Sequence, residues 1–316
     1  MNEFCSTPVN PNATKKAKEL LSYLCECAGN CLITGQHTQT KPMEERAYIK
    51  EVTGHYPKLV EFEMLSYSPN INYEDASKEC LTEVEENKGT METALSLAKE
   101  QDIIMMLCFH WFSPIGGRDK AFYTEHTDFN PEQVLVSGTP EREAFYSDLD
   151  VIAKELLKFK EADIPVLWRP LHEVEGTWFW WGSKGGEVAK QLYRLMYDYF
   201  VKEKQLDNLL WVFSAPTKES YPGDDYVDVI GWDIYLPEKQ ATDYKAQYEE
   251  FTKNTSANKV KALTEVGYNP DIKMLEESKV PWAFYMTWSK EFAMDGVYNT
   301  KEELKAMYES DYTIKL

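Results

Sequence analysis

The chain has 316 residues, 43% hydrophobic and 28% charged, a globular composition that excludes a disordered, collagenous or disulfide-scaffold chain. Its 34 Lys and Arg against 53 Asp and Glu leave a net charge of −19, which repels nucleic acid and anionic membranes and suits a neutral substrate. No apolar run reaches the roughly 18–20 residues of a membrane span, and no signal peptide is visible at the N-terminus.

The first predicted helix covers 14–27, with Ala17, Leu20, Leu21 and Leu24 on one face and Asn12 as its N-cap. Cys25, Cys27 and Cys31 cluster at its end, with only His37 nearby. Their CxCx3C spacing fits no common zinc or iron–sulfur pattern, so free or partly paired thiols are expected and no metal site. Short apolar runs then recur at 31–34, 59–65, 103–111, 166–173, 209–214, 227–235, 261–267 and 282–289. Several are continuously apolar, as strands buried on both faces of a parallel sheet are.

Charged helical stretches separate them, at 92–101, 141–161, 186–204 and 244–254. Eight alternating units predict an α/β fold, a (β/α)8 TIM barrel with extended βα loops. A doubly wound open sheet is the competing arrangement, but no GxGxxG or GxxxxGK[ST] follows the first strand. There is no repeat, low-complexity tract or linker, so residues 1–316 read as one domain, with 1–30 a helical extension packed on the barrel. The long loops 112–140 and 174–185 follow strands three and four, on the face where a barrel builds its site.

The strand ends carry the chemistry. They read Cys108-Phe-His-Trp111, Trp168-Arg-Pro-Leu-His-Glu173, Trp232-Asp-Ile-Tyr235, Leu263-Thr-Glu-Val-Gly267 and Met286-Thr-Trp-Ser289. Glu173 and Glu265, ending strands four and seven, face each other across one mouth. Two facing carboxyl groups suit glycosidic cleavage: one protonates the leaving oxygen, the other attacks or stabilises the anomeric carbon. Arg169 can donate to Glu265 and keep it ionised. Apolar walls from Trp178, Phe179, Trp180 and Trp181 would raise Glu173, as a general acid requires. Trp180 and Trp181 read as packing under the loop. Asp233 shares a strand face with Tyr235 and can contact substrate or balance Arg169. Glu175 reads as a solvent-facing loop residue and a fallback acid. His126 and Arg118 read as solvated loop residues.

These segments resemble a known family. Trp168-Arg-Pro-Leu-His-Glu-Val-Glu-Gly-Thr-Trp-Phe-Trp-Trp-Gly182 is similar to the acid/base motif of glycoside hydrolase family 26, which holds many endo-β-1,4-mannanases. Tyr221–Tyr235, Ala262–Gly267, the strand with His110-Trp111 and the Gly35-Gln36 turn are similar too, so the resemblance covers roughly residues 30–290. It implies a retaining barrel enzyme with Glu173 as general acid/base and Glu265 as nucleophile. His172, before the acid/base, is the residue typical of this family rather than its wider clan. The resemblance also implies that His110 and Trp111 border the −1 subsite and that Trp178 lies near the bond being cut. Tyr235 would hydrogen-bond the nucleophile, and Trp288 would form the platform beneath the −1 sugar.

The expected function is therefore retaining, endo-acting hydrolysis of β-1,4-mannosidic bonds in mannan, glucomannan or galactomannan. The alternatives are another β-glycan on the same scaffold, β-1,3-1,4-glucan or β-1,3-xylan, and exo-acting release of mannobiose. A non-catalytic carbohydrate-binding barrel would be expected to have lost one glutamate, and both are present. No metal or organic cofactor is expected, the only expected partner is the saccharide, and a monomer is expected. A polymeric substrate implies secretion or surface attachment; trimming imported oligosaccharides in the cytoplasm is the alternative.

Overall fold

The computed structural model describes residues 4–39 and 41–316; residues 1–3 of the expected N-terminal extension and residue 40 lie outside them. Eight parallel strands close into a barrel: β1 (Leu32–Thr38), β2 (Leu59–Glu63), β3 (Ile104–Cys108), β4 (Val166–Arg169), β5 (Leu209–Ser214), β6 (Val229–Ile234), β7 (Val260–Val266) and β8 (Trp282–Thr287). Each pairs with the next, and β1 closes the ring by pairing with both β8 and β2. A short β9 (Thr313–Ile314) adds to the start of β1. The helices are α1 (Lys15–Cys27), α2 (Glu44–Thr53), α3 (Lys78–Glu86), α4 (Thr90–Glu100), α5 (Pro131–Val134), α6 (Pro140–Glu161), α7 (Gly186–Asp198), α8 (Lys245–Asn254), α9 (Ile272–Ser278), α10 (Glu291–Met294) and α11 (Lys301–Glu309). Among the described residues no helix is long and apolar enough to cross a membrane.

Side-chain alternation explains the continuous apolar runs. Val60, Phe62, Met105, Leu107, Trp211 and Phe213 point outward under the helices. Their neighbours Leu59, Ile104, Met106, Leu210 and Val212 point into the barrel. Both faces are buried, so both positions of the period-2 pattern are apolar. The interior then changes character along its axis. The strand starts contribute Ile33, Leu59, Ile104, Val229 and Val260, while the strand ends contribute the buried Glu61, Glu63, Arg169, Ser214, Asp233 and Thr264.

Helix α1 covers the apolar floor, inserting Leu21, Leu24 and Cys27 among these interior residues. Its N-cap is Thr14, whose hydroxyl accepts from Ala17 N. The expected cap Asn12 instead donates its backbone N–H to the Asn10 side chain at 2.9 Å. Residues before α1 are strapped to the floor: Val9 N donates to Asp228 at 2.8 Å and Thr14 N to Asp207 O at 2.9 Å.

Several expected boundaries move. The first strand continues through Gly35-Gln36 rather than turning there. A Cβ on Gly35 would lie 2.4 Å from the Tyr285 carbonyl oxygen, so the glycine serves close strand approach and not a turn. Strands β3 and β4 stop at Cys108 and Arg169, which puts His110, His172 and Glu173 in the loops just beyond. The expected helix 186–204 becomes a π-turn at Tyr199–Glu203. No α-helix intervenes between β5 and β6. Helices α2, α3, α9 and α11 escaped the sequence reading.

Gly35→Ala pushes first against backbone, the Tyr285 carbonyl oxygen, and then against the Leu59 side chain at 3.2 Å. It is expected to cost about 1–3 kcal/mol or more of stability, seen as a lowered thermal midpoint. Gly54→Ala is a poor control because φ is positive there; a wild-type-like midpoint for Gly35→Ala would show that the β1–β8 approach is slack.

Candidate active site

The site is assembled around one buried cation. Arg169 ends β4, fully enclosed in the barrel. Its Nε and Nη2 donate to the two oxygens of Glu61 at 2.8 and 3.1 Å. Its Nη1 donates to Asp233 at 2.9 Å and Nη2 also to Glu265 at 2.9 Å. Burial would raise the Glu61 carboxyl, but Arg169 and a 2.8 Å hydrogen bond with His37 Nδ1 hold it below its ordinary value. Asp233 also accepts from the Ser214 and Thr264 hydroxyls, both at 2.7 Å.

Local backbone irregularity delivers Glu265 to this cation. Asp233 pairs with Glu265 while Trp232 pairs with Leu263, so Thr264 is an extra residue on β7. This bulge lets the consecutive Thr264 and Glu265 both reach the interior network. Gly231 gives Thr264 its room, since a Cβ there would lie 2.2 Å from the threonine side chain. Glu265 Oε1 accepts from the Tyr235 hydroxyl. Burial and the Asp233 and Glu173 carboxylates push Glu265 well above its ordinary value, against the pull of Arg169 and Tyr235.

Glu173 stands in the loop after β4 with φ +56°, a left-handed conformation uncommon outside glycine. Its backbone N–H donates to Ser214 O at 2.9 Å. Its carboxylate accepts from Trp178 Nε1 at 2.8 Å. Burial, then Asp233, raises Glu173, and the indole N–H partly offsets them. A Cβ on Gly176 would fall 1.9 Å from the Trp178 ring, so that glycine lets the indole fold back onto Glu173. Trp181 Nε1 donates to His172 O at 2.8 Å, and Trp180 Nε1 to Trp111 O at 2.7 Å. Those two indoles are buried under the loop.

A second network carries His110. Glu63 accepts from His110 Nδ1 at 2.6 Å, from His110 N and Leu65 N at 2.9 Å each, and from the Cys108 thiol at 3.0 Å. Burial alone would raise Glu63; His110 and these donors bring it to about 2. Burial would lower His110, but Glu63 raises it above the ordinary histidine value. His172 packs edge-on against His110, with ring centroids 4.7 Å apart. Burial, with the Arg169, His110 and His37 charges, pushes it well below that value. Trp288 stacks on His37, centroids 3.8 Å apart, and Gln36 donates to the Trp288 carbonyl at 3.0 Å.

The structure thus brings Glu173, Glu265, His110, Trp178, Tyr235 and Trp288 to one mouth. Trp178 is 46% and Tyr235 42% exposed there. Four of the expected substrate contacts lie elsewhere. Trp111 is buried behind the wall, its Nε1 on Asp148 at 2.7 Å, because β3 has ended and its ring packs on Phe145 and Trp180. Arg169 and Asp233 are enclosed beneath the carboxylates, so Asp233 balances the arginine rather than meeting a ligand. His172 is 1% exposed and backs His110. Glu175 is exposed; Arg118 donates within its own loop, to Glu125 O, and His126 lies beside Asp119 and Glu125.

Glu61, Glu63 and His37 escaped the sequence reading. The signal was present in Leu59-Val-Glu-Phe-Glu63: two acids on the inward face of a doubly buried strand need a buried cation or donors. His37, Glu63 and Cys108 bring potential metal ligands within 4.8 Å of one another. His37 Nδ1 is committed to Glu61, Glu63 to His110 and the Cys108 thiol to Glu63, and His37 Nε2 has no hydrogen-bond partner; most of the cluster is thus engaged as a hydrogen-bond network.

Histidine ring NMR should separate the two imidazoles. His110 is expected to keep its proton above the ordinary histidine range, and His172 to stay neutral well below it. Titration of both near the ordinary value would contradict the two networks.

The profile described as "Glycosyl hydrolase family 26" matches residues 9–316. A Thermothelomyces thermophilus protein named mannan endo-1,4-beta-mannosidase is 35% identical over 317 residues, covering 97% of this chain. The chain spans 62% of that relative's length. The crystal structure of a Podospora anserina GH26-CBM35 β-(1,4)-mannanase superposes with TM-score 0.88 at 32% identity, covering 99% of this chain and 69% of that one. A β-mannanase from a symbiotic protist of the termite Reticulitermes speratus, solved with gluco-manno-oligosaccharide, gives 0.86 at 33%, covering 99% and 97%.

Proposed function

The chain belongs to glycosyl hydrolase family 26, and from that premise we propose that it is a retaining, endo-acting hydrolase of β-1,4-mannosidic bonds. Its substrates would be mannan, glucomannan or galactomannan. The observation that carries this reading is the unequal solvation of two carboxyl groups at one mouth. Glu265 has two direct donors, one of them a cation. Glu173 has one neutral indole donor. Two nearby buried carboxyls cannot both ionise freely. Burial and neighbouring carboxylates raise both; in this reading the shared charge lies on Glu265, where Arg169 and Tyr235 donate to it, and the proton on Glu173.

In the first step Glu265 attacks the anomeric carbon and Glu173 protonates the departing oxygen. A glycosyl ester forms on Glu265. In the second step Glu173, now a carboxylate, takes a proton from water, which attacks the same carbon and releases Glu265. Arg169 and Tyr235 steer the attacking carboxylate. Trp288, propped by His37 and Gln36, offers an aromatic face to the −1 sugar. His110, held charged by Glu63, and Trp178 donate at the cleft wall. The two carboxyls supply both acid and nucleophile, so the chemistry calls for no metal or organic cofactor. The names of the relatives and the oligosaccharide held by the termite-protist enzyme support the mannan assignment. A polymeric substrate implies action outside the cell.

Product analysis on glucomannan, galactomannan, mixed-linkage glucan and β-1,3-xylan tests the substrate. Mannan-derived oligosaccharides of mixed length are expected. A single disaccharide would make the enzyme exo-acting, and cleavage of glucan or xylan alone would overturn the mannan assignment. Glu265→Ala should abolish hydrolysis in a folded protein. Glu173→Ala should lose far less on substrates with activated leaving groups than on mannan.

The pH profile tests the donors. Tyr235 lowers the Glu265 value, so Tyr235→Phe raises it and moves the acidic limb of kcat/KM to higher pH. Trp178 lowers the Glu173 value, so Trp178→Phe raises it and moves the alkaline limb to higher pH. If Tyr235→Phe moved the alkaline limb and Trp178→Phe the acidic one, the proposed roles would be reversed.

A further inference from the structure

The barrel floor, at the opposite end from the cleft, carries thiols that the proposed hydrolysis does not use. Helix α1 ends at Cys27, and three turn residues lead to Cys31 ahead of β1. Cys31 N and Asn30 N both donate to Cys27 O at 2.8 Å. This i+4 to i hydrogen bond closes a turn that brings Cys31 back beside the helix end, as a disulfide with Cα atoms about 4.4–6.8 Å apart requires. The two thiols lie close enough to perturb each other's acidity. Cys27 is buried at 2% exposure among the floor residues, whereas Cys31 is half-buried. The other cysteines have different surroundings. Cys25 donates to the Cys5 carbonyl oxygen at 3.8 Å, Cys80 lies under α3 and Cys108 in the Glu63 network.

We propose that Cys27 and Cys31 form a disulfide by exchange with a small-molecule disulfide, stapling the end of α1 to the start of β1. The accessible Cys31 thiolate attacks one sulfur of the small disulfide. That S–S bond breaks and releases one thiolate. Cys27 then loses its proton and attacks the Cys31 sulfur of the mixed disulfide, releasing the second thiolate. Two protein thiols are oxidised, one small disulfide is reduced to two thiols, and the two protein protons pass to the departing thiolates. Cys31 is the more accessible of the two; its interaction with Cys27 lowers Cys31, while that interaction and then burial raise Cys27, so Cys31 attacks first. The staple holds the helix whose Leu21 and Leu24 cover the floor. Oxidation is therefore expected to raise the thermal midpoint by a few degrees and leave turnover at the far mouth unchanged.

The folded protein is equilibrated with oxidised glutathione, free thiols are blocked with iodoacetamide, and the chain is cut after Lys, Arg and Glu. Cleavage after Glu26 and Glu44, the Lys41–Pro42 bond being resistant, separates Cys25 from a fragment 27–44 that contains both Cys27 and Cys31. The expected fragment is unalkylated and two hydrogens lighter than its dithiol form, and prior reduction with dithiothreitol restores two alkylation sites. In Cys27→Ser, Cys31 is expected to retain glutathione as a trapped mixed disulfide. A fragment 27–44 alkylated at both cysteines after oxidation, or joined to a fragment carrying Cys5 or Cys25, overturns the proposal. An unmodified Cys31 in folded Cys27→Ser overturns the order of attack.

Discussion

The nucleophile's side of this barrel mouth hangs on a guanidinium closed off from solvent. Arg169 is wholly enclosed, and a charge taken out of water is tolerated only when its donors are met by well-placed acceptors. Glu61, Asp233 and Glu265 meet them from β2, β6 and β7, so the charge network ties three strands to β4 across the barrel axis. The balance is deliberately uneven in sign: one cation serves three carboxylates. Further donors make up the deficit, His37 on Glu61, Ser214 and Thr264 on Asp233, and Tyr235 on Glu265. Glu265 is the one member of this set that also meets the cleft, and its position is inherited from the buried remainder.

Backbone departures from regular strand geometry are concentrated where they place these groups. The extra residue Thr264 on β7 turns an alternating strand into one that shows two successive side chains to the interior. Gly231 on β6 leaves the volume that Thr264 fills. Leu171 and Glu173 take left-handed φ values after β4. A strained conformation persists only when its surroundings over-determine it. Here the Glu173 N–H is bound by Ser214 O and the loop is pinned by Trp181 to the His172 carbonyl.

The two long loops also hold each other. Thr124 N and its hydroxyl donate to the carbonyls of Trp178 and Thr177, each at 2.7 Å, and Trp180 N donates to Phe122 O at 3.1 Å. Tyr123 and Phe179 stack across the same seam with centroids 5.5 Å apart. The third loop thereby supports the indole that donates to Glu173, although none of its polar residues reaches that carboxylate. Aromatic content that composition alone leaves open between core and ligand platform divides accordingly. Trp111, Trp168, Trp180, Trp181, Trp211 and Trp282 are buried, while Trp178 and Trp288 open to the mouth.

The sequence by itself determined the eight buried strands, their alternation with helices and the two carboxyl groups at strand ends four and seven. These follow from local pattern: double-faced burial makes strands continuously apolar, and a polar residue ending such a strand stands out against it. The helices α2, α3, α9 and α11 were harder to read because they are short and charged, each burying only two or three side chains. Only the tertiary structure decided which polar residues meet water and which meet one another. Asp233 and Tyr235 share a strand face, yet one lies beneath the carboxylates and the other in the cleft. Trp111 follows His110 directly, yet one is packed behind the wall and the other faces the mouth. Glu61 and Glu63 become legible as charge partners only once the barrel closes and sets them against Arg169 and His110. Burial of a charge is a property of its neighbours in space, and strands distant in sequence supply those neighbours.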